Sequence, residues 1–253
     1  MSDVKRWLRD ALDRAGYVVF NKRYHHVVDG FYTLHSDHFR QDAKFQAAYE
    51  RGLQASAGVN PHFEWRVHIA LWFAAIAMRA DGDFVECGVN AGFLSSAIMH
   101  SMDWNRSGRR FYLVDTFEGP VLEQFSADEM RLGRRRVAEK ALAAGAYVTD
   151  LERVQKNFSE WPDAHIIRGR VPEVLSTIPL GRVAFLHVDL NCAYPERAAL
   201  EFFWPRLSEG AVVLLDDYAH TECTSQTEAI DGFAQCASIE VLSLPTGQGV
   251  ILK

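Results

Sequence analysis

Several common site patterns are missing from this sequence. Its four cysteines, Cys87, Cys192, Cys223 and Cys236, form no C-x-x-C pair and no zinc spacing, which leaves free thiols and points to a reducing compartment. Among the histidines, His25, His26, His35, His38, His62 and His68 show neither H-x-x-x-H nor H-E-x-x-H spacing. There is no G-x-S-x-G elbow and no G-x-x-x-x-G-K-[ST] loop, so hydrolase and nucleoside-triphosphatase readings lose their main supports. The longest apolar run, "VHIALWFAAIAM" at 67–78, is too short to span a bilayer, which takes about 20 residues. The opening "MSDVKRWLRDALDRAG" interleaves charge with apolar residues and lacks the unbroken apolar core of a secretory signal. A cytoplasmic protein without a membrane span is expected. Positive charge is also short: 27 Lys and Arg against 33 Asp and Glu give a net charge of −6, which argues against a nucleic-acid binder. The one basic cluster, "RLGRRR" at 131–136, reads as a solvated helix face, with an anionic substrate handle as the alternative.

What is present is a core-forming α/β pattern. With 253 residues, 48% hydrophobic and 24% charged, the chain can bury one large domain. Residues 1–63 are aromatic and histidine-rich ("YHHVVDGFYTLHSDHF") and read as an N-terminal extension, a lid or an oligomer contact, before a main domain at 64–253. The segment at 64–80 is apolar on nearly all sides and suits a helix buried against a sheet. Strands are expected at 83–89, 109–117, 164–169, 182–190, 211–218, 238–245 and 249–253, with helical segments at about 92–102, 126–158, 172–178, 195–207 and 222–237. Repeated strand–helix alternation predicts a mainly parallel sheet with helices on both faces. Only "TGQG" separates the last two strands, a connection short enough to permit only an antiparallel hairpin.

In such a sheet, ligands bind beyond the carboxyl ends of the strands. The first strand delivers "ECGVNAG", with Glu86, Gly88, Asn90 and Gly92 leading into a helix. Its two glycines allow close backbone approach, and the helix start offers free amides. The spacing is not G-x-G-x-x-G. Asp115 ends the second strand 23 residues past Gly92, a separation suited to ribose hydroxyls, although "DTFEG" is also good turn chemistry. The pair suggests an adenosine-type cofactor, and a nicotinamide dinucleotide is the rival that lacks its glycine fingerprint.

"HVDLN" at 187–191 and "DDY" at 216–218 bring Asp189, Asp216 and Asp217 to neighbouring strand ends. Three uncompensated carboxylates would repel one another. A divalent cation, Mg2+ before Mn2+ or Ca2+, is the expected remedy, with helix capping or pairing to Arg or Lys as the alternative. His220 follows as a candidate base.

The segments "FVECGVNAG", "LVDTFEG", "FLHVDLNCAYPERAALEFFWPRLSEGAVVLLDDY" and "LPTGQGVILK" together resemble the macrocin O-methyltransferase (TylF-like) family of class I S-adenosylmethionine-dependent methyltransferases, over roughly residues 64–253. That resemblance implies a Rossmann-like, seven-stranded, mainly parallel sheet with a C-terminal antiparallel hairpin. It also implies Mg2+-dependent methylation of a hydroxyl on a small-molecule acceptor, commonly a sugar or glycoside. By position, Glu86, Gly88, Asn90 and Gly92 would border the methionine part of S-adenosylmethionine. Asp115 and Thr116 would border its ribose, and Gly169 and Arg170 its adenine side. Asp189, Asp216 and Asp217 would hold the metal, with Asp189 the first choice of base and His220 the second. Where family members often carry D-x-D, this chain has Asp189 and Asn191, and an amide cannot act as a base. A catechol-type O-methyltransferase and a non-catalytic binding protein on the same fold are the rival readings.

Overall fold

The computed structural model describes residues 3–17, 26–28, 31–33 and 35–253. Its elements in chain order are α1 (Asp3–Arg14), β1 (His26–Val28), β2 (Phe31–Thr33), α2 (Ala43–Ala55), α3 (Glu64–Ala77), β3 (Asp83–Cys87), α4 (Phe93–Ser101), β4 (Phe111–Asp115), α5 (Ala127–Arg131), α6 (Arg134–Ala143), α7 (Leu151–Phe158), β5 (Ala164–Arg168), β6 (Val183–Val188), α8 (Ala193–Phe203), β7 (Leu207–Leu215), α9 (Thr224–Ala237), β8 (Leu242–Ser243) and β9 (Gly249–Leu252). Among the described residues, no helix is long and apolar enough to cross a membrane.

The main sheet has seven strands in the order β5-β4-β3-β6-β7-β9-β8. Pairing is parallel from β5 to β7 and antiparallel for β9 against both β7 and β8. The central strands are runs of β-branched and aliphatic residues, and every residue of β6 is buried, as expected where helices cover both faces. One face packs Val85, Leu186, Val213 and Phe203 into a core, and the other packs Phe84, Phe111, Phe185 and Trp104. The strand order reverses between β3 and β6, so the cleft beyond their carboxyl ends is the switch point where ligands of open α/β sheets bind.

Three expected elements differ in form. The helix expected at 126–158 is divided into α5, α6 and α7, because Gly133 and Gly145 take left-handed φ values of 80° and 75° that a continuing helix does not allow. The expected strand at 238–245 narrows to β8: Ser238 leaves α9 with a left-handed φ of 54°, and the two remaining residues form a short edge of the kind that resists intermolecular pairing. The expected helix at 172–178 is a single 3-10 turn, Leu175–Thr177.

Within residues 1–63, α2 lies against α4. Its Gly52 faces the Phe93 ring so closely that an added Cβ would come within 2.7 Å. Phe45, Ala48 and Tyr49 bury with Val67 and Ala97. Arg51 ties α2 to the end of α7: Nε donates to Glu160 Oε1 at 2.8 Å, Nη1 to Asn157 Oδ1 at 2.8 Å and Nη2 to Asn157 O at 2.6 Å, while the guanidinium lies 4.6 Å from the Trp161 ring centre. Arg51→Met is therefore expected to lower unfolding free energy by about 2–3 kcal/mol, the scale of lost charged hydrogen bonds, read from the denaturant midpoint.

Candidate functional site

Gly88 brings two strand ends together. Its φ is 93°, and a Cβ there would lie 1.8 Å from the carbonyl oxygen of Asp189. The amide of Gly88 donates to Val114 O and that of Asp189 to Cys87 O, each at 2.8 Å. Asp115 then fixes the loop that follows: Oδ2 accepts from Val89 N at 2.7 Å and Asn90 N at 2.8 Å, and Oδ1 accepts from Phe117 N at 2.8 Å. Asn90 braces the loop outward, donating to Ala146 O at 3.1 Å and accepting from Val148 N at 2.8 Å.

Two adjoining cavities open here. A small one of about 60 Å³ is bordered by Asp115, Thr116, Tyr147, Gly169 and Val171. A larger one of about 300 Å³ is bordered by Glu86, His187, Asp216, Arg66 and Phe63. Gly88, Asn90, Val148 and Asp189 line both. Of the expected cofactor residues, Gly92 instead faces Phe158, and Arg170 is exposed and lines neither cavity.

Along the larger cavity runs a chain of titratable side chains. Glu86 on β3 sits beside His187 on β6, with His187 Nδ1 2.9 Å from Glu86 Oε1 and Nε2 3.7 Å from Asp216 Oδ1. Burial works to lower the imidazole pKa, but the Asp216 and Glu86 carboxylates outweigh it and push it up to about 10. His187 thus stands between the Glu86 and Asp216 carboxyl groups. Asp216 also receives Arg66 Nη1 at 2.5 Å on Oδ2 and Gln248 Nε2 at 3.2 Å on Oδ1. Burial opposes ionisation of Asp216, yet Arg66 and His187 hold its pKa below the ordinary carboxylate range. Asp189 differs: burial, and then Asp216 and Asp217, raise its pKa well above normal. Asp217 is raised by burial and by Asp216.

The carboxylates expected to hold a cation are engaged by the protein's own groups. Among the described residues, no group of three or more His, Cys, Asp or Glu side chains is arranged to hold a metal ion. Arg66 takes Asp216 and stands 3.5 Å from Asp217 Oδ1, while Asn191 donates its amide to Asp189 Oδ1 at 2.7 Å. The donor set of Asp189, Asp216 and Asp217 therefore does not fit a divalent cation as it stands. His25 and the side chain of His26 lie outside the described residues.

His220 is exposed, and its Nδ1 accepts from Glu222 N at 3.3 Å. The basic cluster is not a uniformly solvated face. Arg134 turns inward, with its side chain 14% exposed and Nη1 4.0 Å from Glu222 Oε2. Arg131 and Arg135 instead make surface pairs with Asp128 and Glu139.

Residues 85–218 match the family described as "Methyltransferase domain" (Methyltransf_24), a span that holds the glycine loop, Asp115, Asp189 and the Asp216–Asp217 pair. The chain belongs to this methyltransferase family. The resemblance to its macrocin-type members stands. A tetracenomycin-C rhamnosyl 4'-O-methyltransferase of Streptomyces olivaceus is 31% identical over 58% of this chain and 57% of that enzyme. The mycinamicin III 3''-O-methyltransferase of Micromonospora griseorubida is 26% identical over 59% and 60%. The methyltransferase chain thus spans under two thirds of these relatives. In fold it is similar to the O-methyltransferase NovP (TM-score 0.66, 18% identity, 86% of this chain and 99% of that one) and to the calicheamicin methyltransferase CalS11 (0.59, 16%, 90% and 96%).

Sequence reasoning passes over Arg66, His187, Tyr147 and Gln248. Two of them carried a signal. Arg66 is a lone positive charge within the otherwise apolar "WRVHIALWF", and His187 interrupts a strand of buried aliphatics. A buried cation needs a buried partner.

Proposed function

We propose that the chain is an S-adenosylmethionine-dependent O-methyltransferase acting on a hydroxyl of a small acceptor, a sugar of a glycosylated natural product or precursor. The observation that carries the reading is Asp189, a buried carboxylate of raised pKa in the wall common to both cavities. Family membership supports the transfer chemistry, and the sugar acceptors named for the tetracenomycin and mycinamicin enzymes support the acceptor class.

The residues fit the cofactor. Glu86 Oε2 is buried without a hydrogen-bond partner, an arrangement that favours a cationic or donor group from a ligand. Gly88 and Asn90 give the cavity a wall with little side-chain bulk, and Asp115 and Thr116 face the smaller cavity. Bound S-adenosylmethionine would supply an electrophilic methyl group on a sulfonium.

The chain's own residues must orient the acceptor hydroxyl and take its proton. A neutral hydroxyl is a weak nucleophile, and a base matched to the working pH is the most effective helper. The raised pKa of Asp189 suits it to that task, while Asp216, held ionised by Arg66 and His187, fixes the field around it. The proton would pass from the hydroxyl oxygen to the Asp189 carboxylate as the O–CH3 bond forms and the sulfonium S–CH3 bond breaks, with S-adenosylhomocysteine as the leaving group. No step is assigned to a divalent cation, since Arg66 and Asn191 already pair with the carboxylates it would use. Phe63, Val59 and Pro61 border the larger cavity, in keeping with an acceptor wall supplied by the first 63 residues.

Calorimetric titration with S-adenosylmethionine and S-adenosylhomocysteine tests the reading. Wild-type protein is expected to bind both. Asp115→Ala releases three backbone amides and is expected to weaken both at least about tenfold, a change of about 1.4 kcal/mol. Correctly folded wild-type protein that binds neither compound would sink the proposal.

A further inference from the structure

The carboxyl ends of β6 and β7 hold three aspartates in a poorly solvated place, and the protein itself answers their charge. Arg66 reaches them from α3, a mainly apolar helix, and is itself buried. Its Nη1 lies 2.5 Å from Asp216 Oδ2, 3.3 Å from the Asp216 carbonyl oxygen and 3.5 Å from Asp217 Oδ1. One guanidinium nitrogen thus stands between two carboxylates, the place a bridging cation would need. Arginine stays charged in any setting and its planar fork matches carboxylates. A buried arginine is costly unless paired, so its presence in α3 makes sense only with those partners. The second approach to Asp216 is closed by Gln248 and by His187. At Asp189 the amide of Asn191 occupies Oδ1, and Asn191 holds a left-handed φ of 56° to do so, a conformation that asparagine tolerates better than most residues.

We propose that Arg66 and Asn191 are positioning residues, Arg66 supplying the counter-charge and Asn191 a hydrogen-bond donor where these aspartates would otherwise draw on a divalent cation, so that this chain transfers methyl groups without one. The inference rests on the methyltransferase reading above. It predicts a site whose carboxylates are already engaged: a divalent ion would have to enter against the Arg66 guanidinium and displace the Arg66, Gln248 and Asn191 donors.

Mn2+ serves as the probe, because its free form is measured directly by electron paramagnetic resonance. The full chain, saturated with S-adenosylhomocysteine, is titrated with Mn2+. Wild-type protein is expected to bind it no more tightly than about 1 mM, a free energy of only about −4 kcal/mol. Folded Arg66→Met exposes the two carboxylates to the ion and is expected to tighten binding at least about tenfold. Arg66→Lys keeps the charge and should stay as weak as wild type. Asp217→Asn added to Arg66→Met should abolish the gain.

One Mn2+ bound tightly by wild-type protein and lost in Asp217→Asn would overturn the proposal. So would a folded Arg66→Met with no gain. Should Arg66→Met fail to fold, Asn191→Asp decides in its place, since it exchanges the amide donor for a further carboxylate. Tighter Mn2+ binding supports the proposal and unchanged binding overturns it. S-adenosylhomocysteine affinity, measured in parallel with Mg2+ and with a chelator, is expected to be equal in the two. No affinity in either condition would count against the cofactor reading, while the Mn2+ titration would still judge the charge balance.

Discussion

Replacing Gly88 by alanine is expected to remove cofactor binding and to cost the fold about 2–5 kcal/mol. The added Cβ would sit 1.8 Å from the carbonyl oxygen of Asp189 and 2.7 Å from its carbonyl carbon. Both are backbone atoms in the sheet, so neither can swing away. Forcing β3 and β6 apart combines overpacking, about 1–3 kcal/mol, with a strained positive φ, about 1–2 kcal/mol. The same movement would break the Asp189 N to Cys87 O bond and shift the carboxylate proposed as base. Thermal denaturation and S-adenosylhomocysteine titration on the same sample check it. A variant that melts with wild type and binds normally would mean the two strand ends are less tightly apposed than described.

Asp189→Asn is expected to give the larger effect on chemistry. Loss of a general base costs about 100- to 10,000-fold in turnover, whereas S-adenosylhomocysteine affinity should hold because the glycine loop and Asp115 are untouched. The wild-type pH profile carries the signature. Asp189 must be ionised to accept a proton, and its pKa is raised by burial and by Asp216 and Asp217. Activity should therefore rise with pH through a value well above the ordinary carboxylate range, and Asp189→Asn should lose that limb. Stability has the opposite sign. A carboxyl whose folded pKa exceeds its unfolded 3.8 favours the native state at low pH, and that contribution is lost as pH rises through the folded pKa. Near neutrality Asp189→Asn should therefore be at least as stable as wild type. A variant that both fails to turn over and unfolds early would point to a structural role for Asp189.

The sheet was legible because its strands are short aliphatic runs closed by turn residues, and "TGQG" left only a hairpin between the last two. The glycine loop, Asp115 and the aspartates at 189, 216 and 217 were legible for the same reason: each follows a strand, and strand ends share an edge. Pairing was not legible. Arg66 lies 150 residues from Asp216, and no local pattern announces that a charge in an apolar helix will meet one in a distant loop. Pairing of these aspartates with Arg or Lys was one of the two readings the sequence left open, and sequence shows like charges gathering but not which guanidinium comes between them. Helix 126–158 failed for a local reason, since Gly133 inside a charged periodic stretch can be either tolerated or, as here, a break.

Gln248 reaches Asp216 from the turn that precedes β9, and β9 closes onto β7 with Gly249 beside Leu215. Gln248 lies 32 residues beyond Asp216, so a cut before that turn would keep the glycine loop and Asp115 but remove this donor. The proposed reacting centre thus depends on the β8–β9 hairpin as well as on the glycine loop.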